Sequence, residues 1–198
     1  MILHGGKDVY FCNSRKEIEA TIKRVFEENK DTLSVCPYLD IEYEYRTIYL
    51  DGKIEFAYKK SKPFVVGDGK NKLKTLIENI GDNKVNYSFC KDLDMNYIPA
   101  QDKKVIISWK HNLNSGAIPI LIDEKDAYID KVKAIAKKAG DTMNAKFASI
   151  DISQTKAGDL FVMEVNASVC MNKFSEIVPN GYKIAKEIYG KAIDKMFE

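Results

Sequence analysis

Histidine is scarce in this chain, with only His4 and His111 among 198 residues. No Ser/His/Asp arrangement can be identified around them, so chemistry by an activated serine is not indicated. The four cysteines, Cys12, Cys36, Cys90 and Cys170, lie far apart with no C-x-x-C pair. That spacing argues against a zinc site and against a disulfide framework, and makes a reducing, cytoplasmic setting the expectation. Charge of one sign is missing too: 31 basic residues face 29 acidic ones, for a net +2. No global field therefore draws the chain to nucleic acid or to a membrane surface, and neither partner is expected. No apolar run approaches the length of a membrane span, and the opening Met-Ile-Leu-His-Gly-Gly lacks the charged and apolar regions of a secretory signal. Internal repeats and low-complexity linkers are absent as well.

What remains is a chain with 45% hydrophobic residues, enough for one good core divided into a larger and a smaller lobe. Its elements alternate, which argues for an α/β or α+β fold over a bundle. Residues 8–12 and 33–37 read as short strands. Between them Ser14 is a plausible N-cap, with Glu17 completing a capping box before a helix to about residue 29. Asp51-Gly52 closes a hairpin of residues 44–50 and 53–58. Helical spacing follows at 72–80, a polar irregular stretch at 83–102, and a strand at 105–109. A helix at 126–139 is expected to end at Gly140, and an amphipathic helix at 182–197 ends the chain.

The most informative stretch is 147–166. Apolar β-formers flank Ala157-Gly158, and a two-residue loop there sets Asp151 opposite Glu164 and Ser149 opposite Asn166. The period of two places Glu164 and Asn166 on one face. Like charges directly opposite are destabilising, so the pattern asks for a cation, and all-oxygen donors suit Mg²⁺. The plain alternative is a pair of solvated carboxylates. Against it, residues 160–165 are almost wholly apolar and read as a buried strand.

Glu44-Tyr45-Arg46 before its hairpin, Val65-Val66-Gly67-Asp68-Gly69, Asn112-Leu113-Asn114-Ser115-Gly116, and then Asp151-Ile152 with Glu164-Val165-Asn166 come in an order that closely resembles the C-terminal half of ATP-grasp ligases. The branch of best resemblance is the carboxylate–amine ligases, which holds cyanophycin synthetases, glutathione-forming ligases and enzymes that add glutamate to ribosomal protein tails. The resemblance spans about residues 5–166. It implies an α+β, ATP-grasp-like fold of mainly antiparallel sheet lobes with flanking helices, lacking the N-terminal part of the usual fold. Residues 1–39 would then be the remainder of a small nucleotide-binding lobe and 40–198 a C-terminal catalytic lobe.

The same resemblance implies ATP and Mg²⁺ as cofactors. Asp151, Glu164 and Asn166 would hold the Mg²⁺ ions bridging the ATP phosphates. Lys110, Asn112 and Asn114 would sit where such ligases bind the transferring phosphate and the carboxylate substrate, although the family usually carries Arg where Lys110 stands. Pro37, Tyr38 and Leu39 match the hinge that bonds adenine, with Asp40 toward the ribose. Gly5 and Gly6 match the flexible loop over the phosphates; two glycines near a terminus equally fit a disordered end. Arg46 matches a basic residue near substrate and phosphoryl group. The Asp51-Gly52 hairpin lines up Glu44 with Lys59 as an ordinary ion pair and leaves Arg46 opposite Ala57, unpaired. Of the neighbouring Lys59 and Lys60, Lys60 would be a further cofactor-binding residue.

The implied reaction is attack of a substrate carboxylate on the γ-phosphate to form an acyl phosphate, then displacement of phosphate by an amine. It needs positioning and charge neutralisation, with small-molecule or peptide carboxylates and amines as substrates. A fragment of a longer enzyme, a chain that pairs with another polypeptide or forms a homo-oligomer, and a reduced relative are all compatible with the residues. A non-catalytic Mg²⁺ and nucleotide binding module and a purely structural domain remain alternatives.

Overall fold

The computed structural model describes residues 9–28, 32–80, 90, 93–113, 116–123 and 125–198. It divides into two compact units, Met1–Asp40 and Ile41–Glu198. In the first, α1 (Arg15–Glu27) starts as its capping signals require. The Ser14 hydroxyl accepts from the Glu17 N–H at 3.2 Å, and the Glu17 carboxylate accepts from the Asn13 N–H at 2.7 Å. The two strands expected here do not form: the described residues 9–12 and 33–37 are irregular.

The second unit is built on a five-stranded antiparallel sheet. Its strands are β1 (Ile41–Leu50), β2 (Lys53–Lys60), β5 (Pro119–Leu121), β6 (Phe147–Thr155) and β7 (Leu160–Asn166), in the order β5-β2-β1-β6-β7. Asp51 at φ 41° and Gly52 at φ 88° close β1–β2 in the two-residue turn expected of Asp-Gly. A smaller sheet, β3 (Phe64–Val66) with β4 (Lys104–Ile106), packs with α2 (Leu73–Glu78) around Val65, Leu73, Ile77, Cys90 and Ile107. Here Val-Val-Gly-Asp-Gly makes a tight loop. The Asp68 carboxylate accepts from the Lys70 and Asn71 N–H groups at 2.9 and 2.7 Å, which hold it at a pKa of about 2.

Each face of the large sheet has its own core. On one, Tyr45, Tyr49, Ala148, Ile150 and Ile152 pack against Val132 and Ala136 of α3 (Ile129–Thr142). On the other, Ile48 and Tyr58 pack against Phe174 of α4 (Asn172–Ile177) and Ala185 and Ile188 of α5 (Gly181–Met196). Burying each large apolar side chain stabilises the fold by roughly 1.5–3 kcal/mol. The helix α3 does not stop at Gly140, as expected, but runs through it. Gly140 is needed for close packing: a Cβ there would lie 2.5 Å from the Tyr49 ring.

Two of the sheet's three register slips set the pairing of the charged residues, the third lying at Ile41/Tyr43 in β1–β6. In β1–β2 the ladder slips between Ile48 and Tyr49, so Arg46 faces Tyr58 and Glu44 faces Lys60. The expected pairings of Arg46 with Ala57 and Glu44 with Lys59 are therefore one residue off. In β6–β7 the loop is Lys156-Ala157-Gly158, with Gly158 at φ 90° and its N–H bonded to the Thr155 carbonyl at 2.9 Å, so it is three residues long and not two. A slip at Met163 restores the register, and Asp151 does face Glu164 while Ser149 faces Asn166. The β7 strand is not buried as expected. It is the sheet edge, and Phe161, Val162 and Met163 are exposed.

Candidate active site

Register lays the polar residues in rows across the face that carries α4 and α5. One row runs Tyr58–Arg46–Asp151–Glu164, a second Lys60–Glu44–Ser153, and a third Ile48–Ser149–Asn166. Because alternate residues share a face, Arg46 continues the line of Ile48 and Lys60 that of Tyr58. The apolar ends of these lines lie under the helices. The charged ends meet one another.

The Arg46 guanidinium grips Asp151 with both arms, Nε donating to Oδ1 at 2.8 Å and Nη2 to Oδ2 at 2.7 Å. Lys60 Nζ donates to the same Oδ2 at 2.9 Å and also pairs with Glu44. Glu164 stands further off, 3.9 Å from Arg46 Nη2, and accepts from the Asn166 amide at 2.7 Å. The two carboxylates that face each other are thus unequal, with side-chain exposures of 5% for Asp151 and 53% for Glu164. Burial pushes the Asp151 carboxyl up, but the hydrogen bonds of Arg46 and the charges of Lys60 and Arg46 outweigh it and hold the group at about 2. Glu44 goes the other way: burial, with the nearby Asp151 charge, raises it despite Lys60. Arg46 is held firmly charged, since Asp151 outweighs the burial that would lower its pKa.

The segment Lys110–His111–Asn112 is tied to the same end of the sheet. His111 Nε2 lies 3.2 Å from the carbonyl of Glu42 in β1. Burial, helped by the charges of Lys62 and Lys60, lowers its pKa to about 4 against the Glu42 bond, so the ring is neutral at pH 7. It is a packing and positioning group. Lys110 is buried, its ammonium 5.5 Å from the Trp109 ring centroid, and the Asn112 carbonyl accepts from the Ala117 N–H at 3.1 Å. Asn114 lies outside the described residues.

In the first unit, Pro37, Tyr38, Leu39 and Asp40 are irregular, with the Tyr38 ring edge-on to Phe11 at 4.6 Å. Gly5 and Gly6 lie outside the described residues. Lys59, weighed beside Lys60, points to the α3 face, where it pairs with Asp126 and sits 4.4 Å over the Tyr43 ring. Sequence reasoning missed Glu44 as a member of the cluster, because the Glu55 bulge that brings it to Lys60 leaves no local signature. It also missed Tyr58 and Ser153, whose buried hydroxyls have no hydrogen-bond partner among the described residues.

Asp151, Glu164 and Asn166 supply oxygen donors of the kind a hard cation takes, on one face and at one end of neighbouring strands. Among the described residues no three His, Cys, Asp or Glu side chains gather into a metal cluster, so the set depends on the Asn166 amide. Glu164 accepts from Asn166, and Asp151 already accepts from two cations.

Residues 107–191 match the RimK-like ATP-grasp domain, a stretch that includes Lys110, Asn112, Asp151, Glu164 and Asn166. The bifunctional glutathione synthetase from Pasteurella multocida superposes with a TM-score of 0.54 at 18% identity, over 78% of this chain and 24% of that one. This chain carries an ATP-grasp-like fold. The D-alanine–D-alanine ligase from Bacillus anthracis matches at a TM-score of 0.51 and 16% identity, over 96% of this chain and 49% of that one. No curated protein matches the sequence. The chain spans about a quarter and about a half of the lengths of these two ligases. The ATP-grasp resemblance carried by the motifs is thus met independently by a domain match and by the architecture, an α+β fold with an antiparallel sheet and flanking helices. Among the described residues no helix is long and apolar enough to cross a membrane.

Proposed function

We propose that this chain is the carboxylate-activating part of an ATP-dependent carboxylate–amine ligase working through an acyl phosphate. The observation that carries the proposal is the meeting, on one sheet face, of two cations, Arg46 and Lys60, with the oxygen donors Glu164 and Asn166. Phosphoryl transfer asks little covalent chemistry of a protein and much charge neutralisation and positioning. Arg46 would hold the transferring phosphoryl group with its fork, and Lys60 would offset charge from its buried place between Glu44 and Asp151. Lys110 and Asn112 would orient the substrate carboxylate. Neutral His111 would fix this segment against β1 and carry no proton. When bound, Mg²⁺ would neutralise phosphate charge, held by Glu164 and Asn166 with Asp151. Within the first unit, Pro37, Tyr38 and Leu39 are proposed for adenine and Asp40 for the ribose. Unpaired cysteines fit a reducing, cytoplasmic setting.

A non-catalytic Mg²⁺ and nucleotide binding relative is the second reading, favoured by the engagement of Asp151 with Arg46 and Lys60. ADP release with Mg·ATP across a panel of amino acids and short peptides separates the two. A ligase sustains ADP release when its carboxylate and amine are both present, and Glu164→Gln lowers that rate at least about a hundredfold. Binding of Mg·ATP, seen as a rise in melting temperature, without ADP release from any substrate pair favours the second reading. Wild-type rates in Glu164→Gln would show the proposed metal site to be wrong.

A further inference from the structure

We infer that Asp151 is the resident anion of the Arg46–Lys60 pair, and that triphosphate and divalent cation enter this cluster by exchanging with it. The inference rests on the reading of this face as a phosphate and divalent-cation site, and it names how the site is held closed. Arg46 uses both arms of its fork on one carboxylate, the geometry that a phosphate would otherwise take. Lys60 is bonded to the same carboxylate and paired with Glu44. Two cations and two carboxylates make this core neutral, so an arriving polyanion meets paired charge. Glu164 is near enough to feel Arg46 at 3.9 Å but too far to replace Asp151 on it.

Two ligands of opposite charge therefore compete for partners already bound to each other. A divalent cation drawn to Glu164 and Asn166 takes Asp151 only by loosening the Arg46 fork, and a triphosphate takes Arg46 only by releasing Asp151. Each ligand does part of the work the other needs. By linkage, each then raises the affinity for the other by the same factor. The solvent edge of the cluster is where the exchange would start, because Arg46 is partly exposed while Asp151 and Lys60 are buried.

Reciprocal variants of the full chain test this by calorimetry at constant ionic strength. Asp151→Asn frees the cations, and should bind inorganic tripolyphosphate in EDTA about tenfold tighter than the unmodified chain. Arg46→Gln frees Asp151 while Lys60 still holds it, and should bind Mn²⁺ alone about tenfold tighter. Equal affinity of either folded variant and the unmodified chain overturns the exchange. Should Asp151→Asn fail to fold, the Mn²⁺ comparison decides alone. Neither measurement involves ADP release. A chain without ligase activity would fail the proposed function and still show both gains if Asp151 is the resident anion.

Discussion

Lys60 stands directly opposite Glu44 across β1 and β2 and also reaches Asp151 at 2.9 Å, so one buried ammonium serves two carboxylates, Asp151 buried and Glu44 half-buried. Desolvating a charge is expensive, and removing one member of such a group leaves the others uncompensated. Arg46 can still satisfy Asp151 when Lys60 is gone, but Glu44 forms its ion pair with Lys60.

Lys60→Met is therefore expected to cost about 3–5 kcal/mol in urea unfolding at pH 7. The loss should shrink at pH 5. Glu44 has a folded pKa above its unfolded one, so the unfolded chain gives up its proton first and stability falls as pH rises above about 4.5. Removing Lys60 strengthens that trend. A loss independent of pH would mean that Glu44 is not the group left stranded.

His111 gives a pH dependence of the opposite sign. Its pKa is lowered from 6.5 to about 4, chiefly by burial, so between those values the unfolded chain binds a proton that the folded chain refuses. Stability from this group is complete above about pH 6.5 and is lost as pH falls toward 4. From pH 7 to pH 5 the loss should be about 2 kcal/mol. It should vanish in His111→Gln. Proton NMR of the His111 ring should show no titration between pH 8 and 6, and a midpoint near 6.5 would contradict the burial argument.

The sequence disclosed the elements more reliably than the registers. Asp51-Gly52 gave its turn, and Ser14 with Glu17 gave the start of α1, because those signals are local. Asp151 was placed opposite Glu164 correctly, but through a loop one residue too short, whose offset the bulge at Met163 cancels. No such cancellation exists at Glu55, so Arg46 and Lys60 were misaligned by one and the ion pairs of Lys59 and Lys60 were confused. Bulges answer to packing on both faces, which local propensity does not report. For the same reason an apolar run could not tell edge strand β7 from a central one, nor Gly140 as a helix end from Gly140 as a contact with Tyr49.

Gly140→Ala tests that contact. Alanine favours an α-helix over glycine by about 1 kcal/mol, which by itself would stabilise α3. A Cβ 2.5 Å from the ring carbons of Tyr49 must displace a buried aromatic whose hydroxyl is bonded to Asp141 at 2.8 Å. Overpacking of this kind costs about 1–3 kcal/mol, so the net effect is expected to be destabilising. A raised melting temperature would show that Tyr49 moves aside freely.

Tyr58→Phe separates packing from binding at the edge of the site. The ring packs on Phe174 at 4.7 Å and on Phe56 at 6.2 Å, and phenylalanine keeps both contacts. The hydroxyl is buried beside Arg46 without a hydrogen-bond partner of good geometry among the described residues, a state that costs about 1–3 kcal/mol relative to water. Deleting it should raise stability by about 1 kcal/mol. The residue is fully buried in the α4–α5 core, so its hydroxyl is expected to support packing beside Arg46 and not to contact a ligand. The increase in melting temperature on adding Mg·ATP should therefore be unchanged. A stable variant that loses this increase would instead make the hydroxyl a ligand contact, reached by opening of α4.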